Sequence, residues 1–154
     1  MAKGMKIMIK KLLAILSMLF ISHFAQANNA TPAGLWKTLD DDGKPTGYVR
    51  IEVVQDIYTG VIEKGLPTDK DEKYCTACKD ERKDQKLVGM TMMKNVKAKG
   101  DVFEGSEILD PFTGNTYRVK LTLKEAGKKM EVRGFIGISL FGRTQIWERS
   151  DHGQ

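Results

Sequence analysis

Between residues 46 and 55 apolar and polar positions alternate. Val49, Ile51 and Val53 fall on one side of an extended chain, and Tyr48, Arg50 and Glu52 on the other. A period of two over that length predicts a half-buried strand. The pattern returns at residues 116–124, where Tyr117, Val119, Leu121 and Leu123 oppose Thr116, Arg118, Lys120 and Thr122. Shorter runs predict further strands at 35–38, 57–64, 87–96, 102–109, 130–139 and 140–149. In the third of the eight in chain order, Gly60 reads as a bulge or a close-packing point. In the fourth, Val88, Met90 and Met92 share a face.

Turn-forming clusters separate these runs, among them Asp40-Asp41-Asp42-Gly43-Lys44-Pro45, Asp110-Pro111-Phe112-Thr113-Gly114-Asn115 and Glu125-Ala126-Gly127-Lys128. The one irregular stretch, residues 66–86, is dense in charge and holds both cysteines. It reads as a long loop, with or without a short helix. Beyond the N-terminus no apolar stripe of period 3.6 is long enough for a major helix. The expected fold is therefore all-β, a single small antiparallel up-and-down barrel of about eight strands with one long Cys-containing loop. Closure would remove the exposed strand edges. A two-sheet sandwich of the same strands is the alternative.

The N-terminus is different in kind. Lys3, Lys6, Lys10 and Lys11 precede an apolar run from Leu12 to Phe24, and Ala25-Gln26-Ala27 follows. A basic start, a short apolar run and a small-x-small site predict a secretory signal peptide over 1–27, cleaved after Ala27. The run is too short for a membrane anchor, which needs about 20 apolar residues. Residues 28–154 then form one domain, and the expected location is the periplasm. Four of the 25 basic residues and none of the 20 acidic ones lie in the signal, so the remainder carries only +1 of the formal +5. That removes the main support for a nucleic-acid partner.

Three stretches carry a resemblance: Gly34-Leu35-Trp36-Lys37-Thr38; Ile108-Leu109-Asp110-Pro111 with Gly114 and Tyr117; and Gly134-Phe135-Ile136-Gly137 running into Phe141-Gly142-Arg143-Thr144-Gln145-Ile146-Trp147. With the signal and the Cys-x-x-Cys between them, the chain resembles the bacterial exported family known as domain of unknown function 2147. Gly34-Leu35-Trp36 is also similar to the Gly-x-Trp that opens the first strand of lipocalin-like barrels. That likeness implies an Arg from the end of the chain laid across Trp36, here Arg143 or Arg149.

Few residues offer chemistry. Two cysteines in an oxidising compartment predict a Cys75–Cys78 disulfide that pins the charged loop. A redox role would need a thioredoxin-like βαβ unit, and that pattern is absent. A structural zinc site takes four ligands, which Asp69, Asp71, Glu72, Asp80, Glu81 and Asp84 could complete beside the cysteines, but carboxylates clustered on a loop are ordinarily just solvated. Met90, Met92 and Met93 fit core packing better than copper. His152 is the sole histidine after the signal, so Ser-His-Asp or Cys-His catalysis is not expected, and no phosphate loop is present. No cofactor is expected.

The last run is more informative. Alternation places Phe141, Arg143, Gln145 and Trp147 on one face. If that face is inward, Arg143 must be paired, either with an acid such as Glu52 or Glu104 or with an anionic ligand. The functional expectation is a binding barrel for a small, partly apolar or anionic ligand, without catalysis. Its expected contacts are Trp36, Tyr117, Arg143, Gln145 and Trp147. The alternative is an envelope protein with a filled core, acting through loops such as residues 68–85.

Overall fold

The computed structural model describes residues 30–66 and 73–150. The expected signal peptide, His152 and the carboxylates Asp69, Asp71 and Glu72 lie outside the described residues. Eight strands run in chain order: β1 (Gly34–Leu39), β2 (Pro45–Val54), β3 (Ile57–Gly65), β4 (Thr91–Lys99), β5 (Val102–Asp110), β6 (Asn115–Lys124), β7 (Lys129–Phe135) and β8 (Gly142–Arg149). Each pairs antiparallel with the next, and β8 returns to β1 to close the barrel. The closed barrel is thus the architecture, not the sandwich. Among the described residues no helix is long and apolar enough to cross a membrane.

The period-two patterns explain the two faces. Val49 and Ile51 of β2 and Val119 and Leu121 of β6 point inward and are buried. Charged neighbours pair across strands outside, as in Lys37–Glu148 at 2.6 Å and Lys124–Glu131 at 3.4 Å. An apolar interior behind a charged exterior is the reverse of a transmembrane barrel. Short turns enforce the up-and-down order. Gln55 and Asp56 both have positive φ, the two-residue hairpin whose twist matches that of its strands. The Asp40 carboxylate accepts the backbone N–H groups of Asp42 and Lys44, and Asp110 accepts that of Phe112. Both are Asx-type turn contacts.

Three local expectations are corrected, and that of a bulge and close packing at Gly60 holds. The fourth strand begins at Thr91 rather than 87, and Val88 lies in the preceding turn, exposed, instead of sharing a face with Met90 and Met92. Register irregularities around Gly60 place Met92 and Met93 both in the interior, with Gly60 packed against Met93. Val53 leaves the inner face because β2 has run past the end of the barrel. The seventh strand stops at Phe135 and the eighth starts at Gly142. A connection containing a short 3-10 turn, Ser139–Phe141, stands between them.

The barrel has a filled end and an open end. Trp36, Ile51, Tyr58, Val96, Leu121 and Met130 fill the first, with Tyr58 and Phe103 in an edge-to-face contact at 5.2 Å. Trp36 donates its indole N–H to Pro32 O at 2.7 Å, and the Arg149 guanidinium lies 4.3 Å above its ring. Of the two arginines expected to cross Trp36, it is Arg149.

Candidate functional site

The open end is a cavity of about 1050 Å³. Its mouth is set by the last residues of β1, β3, β5 and β7 and the first of β2, β4, β6 and β8. Alternate strands reverse direction, so residues far apart in sequence meet at one rim. The walls are mainly apolar, with Val49, Met92, Ile108, Leu109, Phe135 and Trp147 among them.

Four of the five residues expected to form a site line this cavity: Tyr117, Arg143, Gln145 and Trp147. Arg143 pairs with Gly134 across β7 and β8, and Gly134 lies against Tyr117 on its other side. With no side chain at 134, Tyr117 and Arg143 face the same space. Gln145 and Trp147 follow deeper along β8, beside Val132 and Met130. Trp147 is 1% exposed, and its indole N–H has no hydrogen-bond partner among the described groups.

Trp36 is the correction. It is fully buried in the filled end and is not a cavity residue. Its place opposite Arg149 in the β1–β8 register sets it one step beyond the cavity floor, where Trp147 stands opposite Thr38. Phe141 is also displaced: it lies in the 3-10 turn, 76% exposed at the rim, because the strand begins one residue later.

Arg143 is neither buried nor paired with Glu52 or Glu104. Its Nη2 is 2.7 Å from Asp41 of the β1–β2 turn, and both side chains are more than half exposed. The hydrogen bond to Asp41 raises its pKa above the ordinary arginine value, with Asp110 and Tyr117 contributing. Glu104 is taken by Lys99 at 2.7 Å, which lowers the Glu104 pKa. Three rim lysines that the sequence did not single out, Lys64, Lys73 and Lys86, also border the cavity. Only the barrel's closure gathers them, so no local motif could have found them.

The Cys-containing loop forms one wall. Cys75 and Cys78 are joined and buried, and no helix occurs in the described part of the loop. Tyr74 bridges to Lys86, bringing Lys73, Tyr74, Leu87 and Val88 to the mouth. The loop packs on the β5–β6 turn so closely that a Cβ at Gly114 would sit 1.8 Å from Ala77 O. Arg82, buried, ties it to the barrel. It donates to both Asp80 carboxylate oxygens and, at 2.7 Å, to Glu107 of β5. The Arg82 guanidinium beside Asp80 holds its carboxyl down at about 2. No group of three or more His, Cys, Asp or Glu is gathered to hold a metal ion among the described residues.

Comparisons with known proteins follow from this geometry. A structure of protein HP1028 from Helicobacter pylori, described as belonging to the lipocalin family, superimposes with a TM-score of 0.67. The two are 14% identical over 80% of this chain and 85% of that one, a likeness that shows the fold. No functionally curated protein matches the sequence. The profile of a bacterial family does match, over residues 34–149, which is the whole barrel from the first residue of β1 to the last of β8. By that match the chain belongs to the family described as "Uncharacterized protein conserved in bacteria (DUF2147)".

Proposed function

We propose that this protein is a periplasmic, non-catalytic carrier of a small amphiphile with an apolar body and an anionic head. The observation that carries the reading is the cavity itself, about 1050 Å³ of largely apolar space inside a closed eight-stranded barrel. Pockets for small molecules fall in this size range and share this mix of apolar walls and few polar groups. Eight-stranded barrels are wide enough to hold one small ligand. The rival reading, a filled core, draws its support from the packed Trp36 end.

The ligand's polarity follows from the rim. The cations Lys44, Lys64, Lys73, Lys86 and Arg143 border the opening against the carboxylates Asp40 and Asp110. An anionic head is favoured there, with the tail against Met92, Ile108 and Trp147. Arg143 and Gln145 orient the head, and Tyr117 shares that end of the cavity. The role proposed is binding and release.

Titration with a saturated C12–C16 carboxylate, followed by tryptophan fluorescence, tests the reading. Trp147 lines the cavity and Trp36 does not, so the signal change should survive Trp36→Phe and vanish in Trp147→Phe. Saturable binding with that pattern is expected. No change with carboxylates of any length, together with equal native and denatured masses of the protein isolated from its cell, would leave the filled-core reading in place.

A further inference from the structure

The connection between β7 and β8 holds its apolar side chains away from the barrel. Ile136, Leu140 and Phe141 are 73–76% exposed and Ile138 is 61% exposed. Four large apolar residues in six consecutive positions make a contiguous patch, and such patches mark contact sites rather than ordinary surface.

The backbone of this projection is fixed from beneath. Arg133 donates through Nε to Ser139 O at 2.6 Å and through Nη2 to Leu140 O at 2.9 Å. Arg118 donates to Gly137 O at 3.3 Å. These carbonyls would otherwise lose water when the tip is covered by an apolar phase. With partners already in place, the tip can be desolvated without orphaning them.

The surroundings select the kind of partner. Ile136 and Phe141 border the cavity mouth, where the cations Lys44, Lys64, Lys73, Lys86 and Arg143 outnumber the carboxylates Asp40 and Asp110. Lysine is depleted at protein–protein interfaces. Apolar residues flanked by flexible cations are instead the pattern of proteins that lie on anionic lipid surfaces. We infer that the mouth of the barrel docks on an anionic bilayer, with residues 136–141 inserted among the headgroups and the rim lysines on the lipid phosphates.

In that pose the cavity opens onto the lipid rather than onto water. The inference does not depend on which ligand the cavity takes, and it holds for an empty barrel.

The test is sedimentation of the processed protein with vesicles. One set is equal parts phosphatidylglycerol and phosphatidylcholine, the other pure phosphatidylcholine. Ile138→Ser/Leu140→Ser alters the tip at two positions outside the cavity wall, and Val53→Ser/Val54→Ser alters exposed valines at the filled end. The expected result is binding to the anionic vesicles only, weakened about tenfold or more by the tip variant. It should be unchanged by the valine variant and reduced in about 0.5 M salt. Absence of binding overturns the inference, as does binding indifferent to the tip variant. A dimer in solution that the same variant dissolves, without vesicle binding, also overturns it. Carboxylate titration of the tip variant separates the two readings, because its cavity is intact.

Discussion

Arg149, the last residue of β8, lays its guanidinium 4.3 Å above the ring of Trp36, the third residue of β1. The same guanidinium donates to the carbonyls of Gly127, Ala33 and Thr31 at 2.7–2.8 Å. One side chain thus joins the first strand, the last strand, the β6–β7 turn and the segment entering the barrel. Its positive charge is stabilised by three carbonyl dipoles and a π face.

Truncating this pair should be costly. Trp36→Ala removes a fully buried indole and is expected to lose about 3–5 kcal/mol in denaturant unfolding. Arg149→Lys keeps the charge but loses the planar fork, with an expected loss of about 2 kcal/mol. Near-native stability for both would show that this contact does not hold the barrel shut.

Gly34 should tolerate no side chain. Its φ of +127° is disfavoured for other residues, and a Cβ there would lie 2.8 Å from Arg149 Nη1. Gly34→Ala is expected to destabilise by about 1–3 kcal/mol. Combined with Arg149→Ala the cost should be less than additive, which a double-mutant cycle would read.

The disulfide should stabilise the mouth locally. Cys75→Ser/Cys78→Ser opens a very short loop, so the expected global loss is only about 2 kcal/mol. Amide exchange should quicken across residues 73–90 and stay slow in β6 and β7. Uniform loosening of the barrel would contradict a role confined to the loop.

Acid should release the same loop. Asp80 titrates at about 2 instead of 3.8, because of its hydrogen bonds from Arg82. A lowered carboxylate pKa contributes stability in full above its unfolded value. That contribution fades as pH falls through the folded one. Protease sensitivity at residues 73–90 should therefore rise between about pH 4 and pH 2. Asp80→Asn should show the loose state already at pH 7 and little further change.

Arg143 separates head from tail in ligand binding. Arg143→Gln should weaken a long-chain carboxylate about tenfold and leave its methyl ester unaffected. Asp41→Asn should strengthen the carboxylate, because it frees a guanidinium now held by Asp41. Equal effects of Arg143→Gln on acid and ester would remove Arg143 from the head site.

The all-β class, the eight strands and their up-and-down order are legible in the chain before any fold is known. Each depends on neighbours in the chain: alternation at 46–55 and 116–124, and Asp-, Gly- and Asn-bearing turns between. The sequence also paired Cys75 with Cys78, three residues apart, and named four of the residues that line the cavity, since Arg143, Gln145 and Trp147 share one face of a strand. Tertiary structure alone decided what depends on closure. It put Trp36 beneath the cavity instead of in its wall, because β1 enters at the filled end. It chose Arg149 over Arg143 for Trp36 and gave Arg143 to Asp41, 102 residues away in sequence. It also gathered lysines from several elements at one rim. Alternation says which side of a strand a residue faces, and only the way the strands meet says at what height in the barrel it stands.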